Sequence, residues 1–174
     1  MRLFVAAELS DPLFEALCET SALLRGSVRG RFVGSDLFHV TLAFLGEVPV
    51  AHACDVADRL RQACDAERPF HTTLGSLGTF GRSSSAVLWL GFRDGASSWG
   101  SLARAVRSSL LDAGFDFDNR GFVPHVTLMR RADVSRGVLP MPCVDGGAIE
   151  TVTLYSSDLS GDRPQYEALE RFML

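Results

Sequence analysis

Lysine is absent from this 174-residue chain: all 17 of its basic residues are arginine. A coding preference for arginine accounts for the missing lysine, but not for where the arginines cluster. Arg25, Arg29 and Arg31 come shortly before residue 39, and Arg120, Arg130, Arg131 and Arg136 bracket residues 125–128. The guanidinium is a planar fork that matches phosphate oxygens and stays charged near neutral pH. Acidic residues still outnumber basic ones, and a net charge of −4 excludes a protein that coats long nucleic acid by bulk electrostatics. Cysteine is also scarce. Cys18, Cys54, Cys64 and Cys143 form no CxxC pair and no regular framework, so free thiols in a reducing cytosol are expected. No apolar run approaches the about 20 residues that cross a bilayer. The opening MRLFVAAELSDPLFE turns acidic and proline-containing too early for a signal peptide. A cytoplasmic protein without membrane attachment is expected.

With 47% hydrophobic and 22% charged residues, the composition is that of a globular protein. The length suffices for one domain whose core needs neither disulfide nor metal. Residues 2–9 read as a strand, and Ser10-Asp11-Pro12 supplies a cap and a proline that open a helix over 11–25, ended by Gly26. Residues 30–33 and 37–45 read as strands, 51–66 as an amphipathic helix, and 70–80 with 86–92 as a hairpin. A helix over 97–113, strands over 121–130 and 149–159, and a closing strand or short helix over 166–174 complete the chain.

Histidine occurs four times, and two of the four stand in the same tetrapeptide: His39-Val40-Thr41-Leu42 and His125-Val126-Thr127-Leu128, half a chain apart. Within a strand, side chains alternate between faces, so valine and leucine bury on one side. Histidine and threonine then emerge together on the other, with Cα atoms roughly 7 Å apart. A single histidine on a half-buried strand is usually structural. Two identical His–Thr pairs facing each other across a cleft form a site. One imidazole acts as base and the other as acid near neutrality, the hydroxyls donate to phosphate oxygens, and a nearby arginine offsets developing charge. Neither a nucleophilic side chain nor a metal is required.

Other chemistries lack their residues. Two histidines without matching Cys or carboxylate spacing make a poor zinc site. There is no GxSxG elbow. Gly75, Gly78 and Gly81, three apart, fit neither a P-loop nor a dinucleotide fingerprint. Ala43 and Met129 stand where an HxxxD motif needs aspartate. His52 and His71 read as structural.

The paired motifs, together with MRLFVAAEL, HVTLAFLGEV, VLWLGF, F-x-PHVTLMR and LYSSDLSGDRPQY, span essentially the whole chain. In these segments it resembles the 2H phosphoesterase superfamily, and within it the bacterial and archaeal RNA 2′,3′-cyclic phosphodiesterases, also called RNA 2′,5′-ligases. Gly121, and Phe32 where tryptophan is common, depart from the usual pattern. The resemblance implies an α+β fold of residues 1–174 as a single domain. Two pseudo-symmetric, intertwined lobes would line a central cleft with antiparallel sheets and carry their helices outside. It implies no cofactor and no metal, and opening of a terminal 2′,3′-cyclic phosphate on RNA to a 2′-phosphate. In that reaction His39 is the proton donor to the departing 3′ oxygen and His125 the proton acceptor from water, although identical motifs leave the direction open. Thr41 and Thr127 hold the phosphate, Arg130 adds positive charge, and Phe44 lies beneath a base. Phe44 is the fifth residue after His39, an odd offset, so a bend must bring it to the histidine's face. The expected partners are RNA ends or nucleotides with a 2′,3′-cyclic phosphate, including tRNA halves, met by a monomer. The alternatives are ligation of tRNA halves through a 2′,5′ linkage and a non-catalytic binder of RNA ends.

Overall fold

A computed structural model describes residues 1–117, 121–135 and 137–174; Arg120 and Arg136, two of the arginines around the second motif, lie outside the described residues. The described residues form two antiparallel sheets and three α-helices, an α+β fold. One sheet has the order β3-β1-β8-β9, with β1 at Arg2–Ala7, β3 at Val40–Glu47, β8 at Thr151–Asp158 and β9 at Gln165–Met173. The other has the order β2-β6-β5-β4-β7, with β2 at Arg29–Phe32, β4 at Phe70–Phe80, β5 at Ala86–Phe92, β6 at His125–Asp133 and β7 at Gly146–Ile149. Neither sheet is one half of the chain. The first joins the two ends of the sequence through the β1–β8 pairing, and β2 leaves the N-terminal half to pair with β6.

The helices interleave in the same way. Helix α1 (Asp11–Arg25) follows a strand of the first sheet but packs on β7 of the second, while α2 (Ala53–Asp65) and α3 (Ala96–Asp112) pack on each other and reach β9 and β3 of the first. One hydrophobic cluster gathers Leu13, Leu17 and Leu24 of α1, Leu60 of α2, and Trp99, Leu102 and Leu110 of α3. The strands add Val40 and Leu42 of β3 and Val126 and Leu128 of β6. Full burial of each such aliphatic side chain stabilises the fold by about 1.5–3 kcal/mol relative to exposure. The apolar half of both HVTL motifs is therefore part of what holds the two sheets together.

Several elements differ from the sequence expectation, each for a physical reason. Residues 37–39 are not strand: Ser35–Leu37 form a 3-10 turn, and β3 begins one residue after His39. Likewise β6 begins at His125 rather than at residue 121, because Pro124 has no N–H to give to a ladder. The expected strand over 149–159 is β8, Thr151–Asp158; Ile149 belongs instead to a preceding short strand of the other sheet, β7, parted from β8 at the exposed Glu150. The closing segment is a strand, β9, paired along its length with β8. Ser10 occupies the position before α1 in extended conformation, yet its hydroxyl makes no capping bond and is buried without a partner.

Candidate active site

Each motif histidine stands at the very start of its strand or one residue before it, where its ring is fixed by the chain just upstream. His39 Nδ1–H donates to the carbonyl of Leu37 at 2.8 Å, and His125 Nδ1–H donates to that of Val123 at 2.7 Å. A carbonyl only accepts, so Nδ1 carries the proton in both neutral rings and Nε2 is left as the free basic nitrogen. The Thr41 hydroxyl donates to His39 Nε2 at 3.0 Å. Among the described residues His125 has no such bond to Thr127.

Beyond the shared tetrapeptide, the two strands also share an irregularity. In the β1–β3 ladder Ala6 faces Thr41 and Val5 faces Ala43, so Leu42 is an extra, bulged residue. In the β5–β6 ladder Trp89 faces Thr127 and Leu88 faces Met129, which makes Leu128 the extra residue. Each bulge puts two consecutive side chains into the core, Leu42 with Ala43 and Leu128 with Met129. The alternation beyond is thereby reversed. Phe44 and Arg130, each five residues past a histidine, arrive on the histidine's side. The bend that Phe44 requires is this bulge.

The six residues singled out in the sequence, His39, Thr41, Phe44, His125, Thr127 and Arg130, line one cavity of about 600 Å³ between the sheets. His52 and His71 do not line it. Among the described residues no group of three or more His, Cys, Asp or Glu is placed to hold a metal ion, and no helix is long and apolar enough to cross a membrane.

Aromatic rings enclose both imidazoles. Phe4 lies 5.0 Å from His39 between ring centres, and Tyr166 meets it edge-on at 5.6 Å. Phe80 meets His125 edge-on at 5.0 Å, and Trp89 lies 5.6 Å away. Burial, against the bond to Leu37 and with repulsion from Arg130 and from a protonated His125, holds His39 far below its ordinary value, at about 4. Burial also lowers His125, opposed by its bond to Val123. Both rings are neutral near pH 7, with Nε2 lone pairs available.

Sequence reasoning missed several of the residues around this centre. Tyr166 comes from β9 and Phe4 from β1, and two more arginines, Arg2 and Arg163, line the cavity; of the cluster Arg25, Arg29 and Arg31 noted before the first motif, Arg31 lines it. Tyr166 falls in the segment LYSSDLSGDRPQY, which carries part of the resemblance but points to no role of its own. Nor does the sequence assign one to Gly78. It pairs directly with Trp89, and a Cβ there would fall inside the indole that backs His125.

This fold is that of the two-histidine phosphoesterases. The solved structure of Escherichia coli LigT complexed with 3′-AMP superposes with a TM-score of 0.81 at 32% identity, over 99% of this chain and 97% of that one. The model of the 2′-5′ RNA ligase superfamily matches residues 25–136. A protein of E. coli K12 named RNA 2′,3′-cyclic phosphodiesterase is 34% identical over 176 residues, 99% of this chain and 96% of that protein. A Geobacillus stearothermophilus protein of the same name is 30% identical over 98% of this chain, which spans 56% of that protein's length. The chain belongs to the 2′-5′ RNA ligase superfamily.

Proposed function

We propose that this chain is an RNA 2′,3′-cyclic phosphodiesterase that opens a terminal cyclic phosphate to a 2′-phosphate by acid–base catalysis from two histidines. The observation that carries the reading is the convergence of His39–Thr41 and His125–Thr127 on one cavity. Relatives named for this activity, and E. coli LigT structures solved with 3′-AMP, NADP+ and ATP, support it.

The electrostatics of the two rings supports one assignment of the roles. A strongly depressed imidazole is a poor base but, once protonated, a strong acid, and His39 is the more depressed ring. The anionic cyclic phosphate, bound by the Thr41 and Thr127 hydroxyls and Arg130, raises the His39 pKa and supplies the reason for it to take a proton. His125, the less depressed ring and free of a threonine bond, is the better base. Its Nε2 accepts a proton from water as the water oxygen bonds to phosphorus. The P–O3′ bond breaks, and His39 Nε2–H gives its proton to the departing O3′. The products are a 2′-phosphomonoester and a 3′-hydroxyl. Arg130 and the two hydroxyls stabilise charge on the non-bridging oxygens as it develops. The chemistry needs no metal and no cofactor.

Replacing the water by the 5′-hydroxyl of a second RNA gives a 2′,5′ linkage through the same step, the reaction named in the superfamily's description. A test incubates the purified protein with nucleoside 2′,3′-cyclic phosphates, short RNAs ending in a cyclic phosphate, and paired tRNA halves, all in EDTA. Release of the 2′-phosphomonoester is expected. A 3′-phosphate product, or binding without turnover over a wide pH range, would overturn the reading.

A further inference from the structure

Arg31 and Arg130 are directly opposed partners across the β2–β6 ladder, and both line the cavity. Like charges in that position lie about 5 Å apart at Cα and destabilise a sheet. β2 is the edge strand, so nothing in the ladder prevents the Arg31 side chain from turning out to solvent. Instead the Arg31 guanidinium donates to the carbonyl of Asp162, in the connection between β8 and β9 of the other sheet. That connection also brings Arg163 into the cavity wall. Arg163 has an acidic neighbour, Asp36, at 3.6 Å, but both side chains are more than half exposed, so this pair is weak and exchangeable. Two arginines are thus drawn over the mouth of the cleft from opposite sheets, one of them beside the arginine that faces the reacting phosphate. Phe32, Leu159 and Pro164 give the same end of the cavity apolar walls.

Resting on the function proposed above, we infer that Arg31 and Arg163 form a second phosphate subsite, which takes the phosphodiester linking the terminal nucleotide of an RNA to its penultimate one. The apolar walls beside it accept the penultimate nucleoside. The reacting cyclic phosphate sits at Arg130 and the chain leaves over β2, so the enzyme prefers RNA ends to mononucleotides. A net-negative protein needs no broad basic surface for this. Two local charges select the substrate.

The experiment measures kcat/KM for cytidine 2′,3′-cyclic phosphate and for a short oligoribonucleotide ending in the same cyclic nucleotide, with wild-type protein, Arg31→Gln, Arg163→Gln, the double variant and Arg31→Lys. The wild type should prefer the oligonucleotide. Each glutamine variant should lower the oligonucleotide-to-mononucleotide ratio by up to about fivefold, the upper range for an exposed ion pair. The double variant should lower it further, and Arg31→Lys should restore part of it. The salt dependence of oligonucleotide KM should also flatten, by about 0.7 in log–log slope for each phosphate that is no longer neutralised. A ratio unchanged in both single variants and in the double variant overturns the subsite. Weaker inhibition by ATP in the variants, with RNA preference intact, reassigns the arginines to a free nucleotide's polyphosphate and overturns it as well. Absence of any wild-type turnover on either substrate overturns instead the function on which the subsite rests.

Discussion

Phe44 and Arg130 occupy equivalent places in the two motif strands, each five residues past its histidine and each turned into the cleft by a bulge at the motif's leucine. The pseudo-symmetry of the site therefore runs past the tetrapeptide and ends in an asymmetric pair, a ring on one side and a guanidinium on the other. If the phosphate binds between the two His–Thr pairs as proposed, it has an aromatic ring at one end and a guanidinium at the other.

That asymmetry predicts different kinetic signatures. Arg130→Gln removes charge from the developing transition state and should lower kcat about a hundredfold. Phe44→Ala removes a stacking platform worth about 1–3 kcal/mol per base and should raise KM with little change in kcat. A cyclic ribose phosphate lacking its base discriminates further: on it Phe44→Ala should behave like wild type. Equal effects on KM and kcat from both substitutions would refute the division of labour.

His39→Ala and His125→Ala should each lower turnover by about 10² to 10⁴, the range for loss of a general acid or base. Both rings are held by the carbonyl two residues upstream and by aromatic packing, so the variants should remain folded by circular dichroism. Near wild-type turnover in either variant, in folded protein, removes the two-histidine mechanism.

The depressed histidines fix the direction of the pH dependence. In the free enzyme the form required by the proposed roles, His39 protonated and His125 neutral, becomes rarer once pH rises above the values of both rings, about 4 for His39 and below the ordinary 6.5 for His125. The kcat/KM profile, which reports the free enzyme, should therefore fall through the neutral range. The bound anion raises the His39 value, so the alkaline limb of kcat should lie at higher pH than that of kcat/KM. Coincident limbs would show that substrate charge does not protonate His39. Stability follows the same shift. The folded value lies below the ordinary 6.5, so the stabilisation is fully present above pH 6.5 and is lost as pH falls toward 4, by at most about 3 kcal/mol. Chemical denaturation across that window should show a shallower decline in His39→Gln.

The sequence made the His–Thr pairs legible because strand alternation and burial act locally: Val40, Leu42, Val126 and Leu128 are buried as their pattern requires. The boundaries at His39 and His125 were less legible. One depends on the 3-10 turn at Ser35–Leu37 and the other on the missing N–H of Pro124. The bulges could not be read at all, since Leu42 and Leu128 look like any core leucine until a partner strand leaves them unpaired. Tyr166 and Arg163 reach the cleft only because the C-terminal β8–β9 hairpin joins β1, a pairing that no local pattern in the sequence announces. The glycines three apart fit no phosphate-binding pattern in the sequence. At Gly78 the reason is instead the space that an indole occupies on the neighbouring strand.

Gly78 consequently has a testable role in positioning His125. A methyl group there collides with the six-membered ring of Trp89, and the backbone on either side is held in the β4–β5 ladder, so the indole must move. Trp89 in turn lies against His125 and faces Thr127 across β5–β6. Gly78→Ala should cost about 1–3 kcal/mol of stability, as other overpacking substitutions do. It should also lower kcat more than it raises KM and shift the tryptophan emission. Adding Trp89→Phe removes the colliding ring and should return kcat toward that of Trp89→Phe alone. If Gly78→Ala lost stability but left kcat and its pH profile untouched, the glycine would serve packing only, and the indole would have no part in placing the base.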